Sequence, residues 1–348
     1  MRILGDSWYA TSIKGLCDPL DLVIERQCPR WMQTRSRKPG ILRSLLLFKL
    51  GRDYDLVFTA QPLPGAWLVV LLEALLGAGK RRLVLLEFIP LTRSTWYLRL
   101  RKLHEDVVFR YATRWSIRRA HVLTHSERRH YARRFRLPES RFEFVPWPLL
   151  RETDQPPDCD GLRSSAVVAS GRMGCDWATL IRAAEGMDWK LTMICNRSEL
   201  KGISAAAKNI SATVMSDVPL DQHQSILRSS AVYVIAVRED FVSVGQIRVM
   251  NAIRAGIPIV ATRVSGLEGY LVDNETALLV EPGNHIAMRR AVERLLDEPH
   301  TRTRLATKAY ELAKSRTFGR YLEEVEQLIR GVSSPETGMT IPVDSNNS

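Results

Sequence analysis

The sequence predicts an α/β chain built of two doubly wound parallel domains, on three observations. Short apolar runs alternate with helix-patterned stretches at spacings that demand crossover connections rather than hairpins. The alternation occurs as two successive series, and at 348 residues the chain is too long for one ordinary core. Between the series lies "RETDQPPDCDG" (151–161), a polar segment with a Pro-Pro pair that reads as a linker. The expected division is a first domain over 1–150, a linker over 151–161, a second domain over 162–331 and a disordered tail over 332–348.

In the first series, "DLVIE" (21–25) reads as a strand and "ILRSLLLFKLG" (41–51) as a helix ending at Gly51. "YDLVFTA" (54–60) is a strand closed by "QPLPG", and "AWLVVLLEALLGAG" is a helix. "RRLVLLEF" (81–88) is a strand, residues 96–120 form a long basic helix, and "HVLTHS" (121–126) is a strand. A helix through "ERRHYARRFRL" and a strand through "RFEFVP" (141–146) complete it. The second series opens with the strand "SAVVASG" (165–171) and the helix "WATLIRAAEGM". Strands follow at "KLTMICN" (190–196), "NISATVM" (209–215) and "AVYVIAV" (231–237), with the helix "LDQHQSILRSS" before the last. After "QIRVMNAIRAGIPIVAT" come the helix at 284–298 and two further helices, "TRTRLATKAYELAK" and "FGRYLEEVEQLIRG".

Composition narrows the function classes. Five scattered Cys with no C-x-x-C pair read as reduced thiols, and seven His show no ligand spacing, so no metal site is expected. The N-terminal residues lack the apolar core of a secretory signal, and Glu73 and Gly77 break the most apolar run well short of a membrane span. A cytoplasmic protein is expected. Residues 1–150 hold 27 Lys and Arg against 13 Asp and Glu, a net +14, while the remainder is −2. A basic first half favours an anionic partner: a membrane surface, a nucleic acid or a phosphorylated substrate.

The chemistry concentrates in "IRVMNAIRAGIPIVATRVSGLEGYLVDNETALLVEPGN" (247–284) and the loop before it. A helix bearing polar Arg248 and Asn251 stops at Gly256 and Pro258 and runs into a buried strand, and "VSGLEG" (264–269) closes that strand in small residues. Ser243 and Gly245 stand at the helix start, where backbone N–H groups can meet an anion; an N-capping turn explains each of them singly.

Taken in order, "NAIRAGIPIVAT", "VSGLEG" and "VDNETALLVEPGN" resemble the C-terminal domain of retaining GT-B glycosyltransferases, glycosyltransferase family 4 (glycosyl transferases group 1), typified by glycogen synthase-like and phosphatidylinositol mannosyltransferase-like enzymes. "ASGRMGCDWATLIRAA" (169–184) resembles the family's Gly-Arg loop, and the first half fits in layout only. The resemblance implies the GT-B fold, two Rossmann-like domains facing a central cleft. It also implies a nucleotide-sugar donor, UDP- or GDP-linked, in the second domain and an acceptor in the first, with no cofactor. Gly171, Arg172, Ser243, Gly245, Asn251 and Gly266 are the implied donor-binding residues. Two family carboxylates are displaced: the second falls at Asn251 and the first at Ser243, with Glu239 and Asp240 just upstream. The sugar-facing carboxylate is then Glu239, if the loop is rebuilt. Cys175, Asp176 and Trp177 stand where the family has a lysine. His125 is the second catalytic candidate, and Glu87 is an acceptor-side candidate at the end of its strand.

A catalytically degenerate binding protein and a sugar-nucleotide epimerase on the same fold remain as alternatives. A nucleic-acid partner is disfavoured, because the basic helices carry no helix-turn-helix or RNP pattern. Their Arg residues interleave with Trp96, Tyr97, Trp115, Tyr131 and Phe135, which suits peripheral contact with anionic membrane and a glycan or lipid-linked acceptor.

Overall fold

The computed structural model describes residues 1–36, 40–60, 66–77, 79–88, 110–151, 157–159, 165–239 and 243–332. Two compact units divide the chain, one of Met1–Pro146 with the segment from Arg320, the other from Trp147 to Gly319.

The first unit is a six-stranded parallel sheet in the order β2-β1-β3-β4-β5-β6. Its strands are β1 (Ile3–Asp6), β2 (Asp18–Pro19), β3 (Leu56–Ala60), β4 (Leu83–Leu86), β5 (Ile117–Val122) and β6 (Phe142–Phe144). Every residue of β1, β3 and β4 is buried, as a parallel sheet covered on both faces requires. Helices α1 (Tyr9–Ser12), α2 (Leu20–Gln27), α3 (Arg30–Ser36), α4 (Ile41–Leu50), α5 (Ala66–Leu76), α6 (110–116) and α7 (His125–Phe135) connect them. Thr124 caps α7 by accepting from Glu127 N–H, while the Glu127 carboxylate accepts from Leu123 N–H, a reciprocal pairing in the manner of a capping box.

Three expectations change here. "DLVIE" lies in α2, not in a strand: Leu20, Val23 and Ile24 are its buried residues, at helical spacing after Pro19. The first strand is instead the four-residue β1, where Gly5 leaves room for the Phe58 ring on the neighbouring strand. The basic helix gives way to β5 at Ile117, ahead of the expected strand start. Strand β5 tolerates its arginines because Arg119 pairs with Glu143 of β6 and donates to the Leu328 and Gly331 carbonyls. Residues 96–109 of that helix lie outside the described residues, as do most of the expected linker and all of the tail but Val332.

The second unit is also six-stranded and parallel, ordered β12-β11-β10-β7-β8-β9. Its strands are β7 (Ala166–Ser170), β8 (Lys190–Cys195), β9 (Ala212–Ser216), β10 (Val232–Ile235), β11 (Ile259–Thr262) and β12 (Leu278–Val280). Around them lie α8 (Trp177–Ala184), α9 (Leu200–Ala206), α10 (Leu220–Ser229), α11 (Gln246–Arg254), α12 (His285–Asp297) and α13 (Pro299–Ala313). Strand alternation feeds two cores: Val232 and Val234 enter one cluster, Tyr233 and Ile235 the other. Short α9 was not expected.

Two boundaries differ from the expected ones. The second unit begins at Trp147 because the chain binds it at once: Trp147 N–H donates to Tyr270 Oη, and Leu149 N–H to the Arg316 carbonyl. From Arg320, α14 (Phe318–Arg330) belongs to the first unit rather than the second. Its Tyr321, Val325, Leu328 and Ile329 are buried, and Tyr321 Oη bonds Tyr9 Oη of α1.

Within the first unit, Arg82 and Glu73 are both buried and joined by bonds of 2.8–3.2 Å, with a further 2.6 Å bond from Arg82 to the Gly51 carbonyl. Removing one member strands the other charge. Glu73→Ala is expected to cost about 3–5 kcal/mol, whereas Glu73→Leu with Arg82→Met should cost far less. Urea unfolding of the two variants checks this, and equal losses would mean that the ion pair is not what the site depends on.

Candidate functional site

Parallel strands place all their C-terminal ends on one edge, and a ligand crevice opens where the strand order reverses. In the second unit the chain runs outward from β7 through β8 to β9, then returns to β10 on the other side of β7. The reversal therefore lies between β7 and β10, and the loops that follow these two strands flank it. They are joined to each other: Arg238 N–H donates to the Gly174 carbonyl and Asp176 N–H to the Ala236 carbonyl. Asp176 then caps α8 by accepting from Thr179 N–H at 3.2 Å.

Gly171 follows β7 directly. A Cβ there would lie 2.4 Å from Cys175 Sγ and 2.9 Å from Arg248 Nη1, so any larger residue would have to displace these side chains. Arg172 is exposed, its carbonyl accepts from the Asn196 amide, and its guanidinium has no partner among the described residues. Gly245 opens α11 at φ +105°, and a Cβ there would meet Leu267 Cδ2 at 2.9 Å. Ser243, two residues earlier, is buried. Gly266 sits in the 3-10 turn after β11 and accepts from Gln246 Nε2 at 2.6 Å, which ties that turn to the start of α11. The turn after β11 and the start of α11 thus meet at this edge.

The residues at the two positions where the resemblance implies carboxylates differ in their surroundings. Glu239 is exposed after β10, and both its oxygens are occupied: Ser265 N–H donates at 2.9 Å and Ser265 Oγ at 2.6 Å. It holds the turn after β11 to the loop after β10. Asp240 lies outside the described residues. Asn251 is the sixth residue of α11, half-buried, with no side-chain hydrogen bond among the described residues. Trp177, in the region of the missing lysine, is buried in a core cluster.

Arg248 is the residue whose role the sequence reading missed. It stands in the first turn of α11 and is only 9% exposed, and its guanidinium lies against Gly171. Nη2 donates to the Met173 carbonyl at 3.1 Å and Nη1 to Cys175 Sγ at 3.5 Å. The available signal was an arginine directly before the buried positions Val249, Ala252 and Ile253. Beneath the same edge, Tyr233 Oη and His223 Nε2 both bond Ser170 Oγ, and burial pushes the Tyr233 phenol up to about 12.

His125 belongs to the first unit, where it opens α7 and packs against Phe144 with ring centroids 4.1 Å apart and the rings tilted by 46°. That unit has its own reversal between β1 and β3. Trp8 and Tyr9 follow β1, and their side chains converge on Glu87 at the end of β4. Tyr9 Oη donates to Glu87 Oε1 at 2.8 Å and Trp8 Nε1 at 3.3 Å. Glu87 adopts φ +49°, a strained conformation for a residue with a side chain, and burial raises its carboxyl above the usual range. Its N–H donates to His121 Nδ1 at 3.2 Å, so His121 is neutral and its Nε2–H donates to the Val145 carbonyl. Among the described residues no group of three or more His, Cys, Asp or Glu could hold a metal ion.

Residues 174–298 match the family described as Glycosyl transferases group 1. The D-inositol 3-phosphate glycosyltransferase of Corynebacterium diphtheriae is 38% identical over 79 residues, 23% of this chain and 18% of that protein. Solved structures share the fold at low identity. The Anabaena Alr3699/HepE protein, in complex with UDP, has a TM-score of 0.65 at 11% identity over 95% of this chain and 100% of that one. Sucrose-phosphate synthase from Thermosynechococcus elongatus has a TM-score of 0.63 at 16% identity over 84% of this chain and 77% of that one. The two six-stranded parallel sheets are those of the GT-B glycosyltransferase fold.

Burial holds the His121 pKa down to about 4, against 6.5 for an ordinary histidine. The unfolded chain therefore binds a proton that the folded chain refuses between these values. The resulting stability is full above pH 6.5 and falls as the pH drops towards 4, by about 3 kcal/mol at 1.36 kcal/mol per pH unit. The His121 ring protons are expected not to titrate between pH 7 and 5 by NMR, and ordinary titration near pH 6.5 would contradict the burial.

Proposed function

Proceeding from the glycosyl transferases group 1 domain at 174–298, we propose that this protein transfers a sugar from a nucleotide-diphosphate donor, UDP- or GDP-linked, to a hydroxyl acceptor, with retention at the anomeric carbon. The observation that carries the proposal is the reversal between β7 and β10, where Gly171, Arg172, Ser243, Gly245 and Gly266 gather around the start of α11. Helix N–H groups and the exposed Arg172 guanidinium suit a diphosphate, and glycines at close approach let backbone reach it. The similar Anabaena protein was solved in complex with UDP, which supports the donor class.

In this reading the bond from the anomeric carbon to the diphosphate oxygen breaks as the bond to the acceptor oxygen forms on the same face. The departing diphosphate takes the acceptor proton, and Arg172 with the α11 N–H groups stabilises its charge. No strong enzymic base is needed. Asn251 binds the ribose through its amide in place of a carboxylate. Glu239 faces the sugar once Ser265 releases it. Acceptor hydroxyls are taken by Glu87 beside Trp8 in the first unit, an aromatic ring and a carboxyl suited to a sugar or polyol. His125 remains a candidate for the same step.

The basic first half suits a lipid-linked acceptor presented at an anionic surface. Among the described residues no helix is long and apolar enough to cross a membrane. Each Lys or Arg near such a surface contributes about 1 kcal/mol and loses it within a Debye length of about 8–10 Å. Co-sedimentation with anionic vesicles at low salt, release at high salt and no retention on neutral vesicles are expected. Equal recovery in the supernatant with both vesicle types would leave a soluble acceptor.

The function itself is tested by following the melting temperature against a panel of nucleotide sugars, where the true donor should raise it by mass action. Arg172→Ala should weaken that donor by about 1.5–3 kcal/mol. Unchanged affinity would remove Arg172 from the site. Donor binding with no transfer to any acceptor would favour a binding protein, and product formed without acceptor would favour an epimerase.

A further inference from the structure

Two arginines are buried among the described residues, and they are solvated by the protein in opposite ways. Arg82 is neutralised by Glu73. Arg248 has no carboxylate within ion-pair distance among the described residues. Its recorded partners are a backbone carbonyl and a thiol, both neutral, and they engage two of its five N–H donors. A guanidinium withdrawn from water without a counter-charge is costly, and a fold retains one where an anion completes it.

Its surroundings suit an anion. Glycine at 171 removes the side chain that would separate the guanidinium from the space above β7. Arg172 stands next in the chain with its own guanidinium exposed. The first backbone bond of α11 runs from Val249 N–H to the Gly245 carbonyl, so the N–H groups of Gln246 and Ile247 have no helical acceptor. No carboxylate of the described residues closes this corner, because Glu239 is turned to Ser265 and Asp176 to Thr179.

We infer that Arg248 is a diphosphate-binding residue, supplying from the first turn of α11 a second fixed cation beside Arg172. The inference rests on the nucleotide-sugar reading for its natural ligand, but the anion chemistry can be probed separately. Arg248 approaches from the helix side, Arg172 from the loop after β7. A planar guanidinium held by Met173 and Cys175 is preorganised for bidentate contact, so little rotamer freedom is lost on binding.

Calorimetric titration of the intact protein with UDP, GDP, uridine, guanosine and inorganic pyrophosphate tests it, comparing wild type with Arg248→Gln and Arg248→Lys. The Gln variant is expected to bind the nucleoside diphosphate about 10–100-fold more weakly, the scale of a charged hydrogen bond. The matching nucleoside should bind as in wild type, and pyrophosphate binding should fall with the diphosphate. Arg248→Lys keeps a cation and should recover part of the loss; if the Gln variant does not fold, the Lys variant's diphosphate-to-nucleoside affinity ratio decides alone. Equal weakening of nucleotide and nucleoside would make Arg248 a structural clamp between loop and helix and overturn the inference, as would unchanged diphosphate affinity. Wild type that binds pyrophosphate through Arg248 but neither nucleotide would sink the donor reading and leave the anion site standing. Wild type that binds none of the five would sink both.

Discussion

Every strand of each sheet runs in one direction, and most of the molecule follows from that constraint. A parallel strand cannot return by a tight turn, so a crossover must cover a face, and both faces become buried. The strands then read as unbroken apolar runs, as β4 and β10 do. With both faces spent on packing, the backbone groups and side chains free for chemistry collect at the C-terminal edge. Where the order reverses, two neighbouring loops diverge and leave room for a ligand. Both units have such a reversal, and the polar residues of interest follow it: Gly171 and Arg172 after β7 in one unit, Trp8 and Tyr9 after β1 in the other.

Across the two units charge is placed selectively. Arg82 with Glu73, and Arg43 with Asp6 and Asp21, are ion pairs that keep a cation under cover. Arg119 draws on Glu143 and on the carbonyls at the end of α14. Among the described residues Arg248 has a carbonyl and a thiol as partners and no carboxylate. A buried cation is tolerable when something anionic is expected, which connects the packing of α11 to the donor it is proposed to hold. Glu239 shows the opposite arrangement, a carboxylate at the same edge already engaged by Ser265.

The second unit was legible because its signals are local. Gly245 and Gly256 are demanded by positive φ and close approach, and "AGIPIVAT" states a helix stop and a buried strand in eight residues. The first unit was less so. Its opening strand has four residues with a glycine among them, and "DLVIE" satisfies a strand's composition while its buried residues keep helical spacing. Arg118 and Arg119 disguised β5 as a continuation of a basic helix, since the partners that allow charge in that strand come from β6 and from more than 200 residues further on.

By itself the sequence determined two parallel α/β domains, the glycine-marked loops at their strand ends and the uneven distribution of charge. These depend on backbone conformation, periodicity and composition, which are written residue by residue. Tertiary structure alone decided that α14 returns to the first unit, that Glu239 is held by Ser265, that Glu87 is strained beneath Tyr9 and Trp8, and that Arg248 lies buried against Gly171. Each of these is a meeting of residues distant in the chain, where burial and partner choice set the chemistry, and a single sequence does not record which distant groups meet.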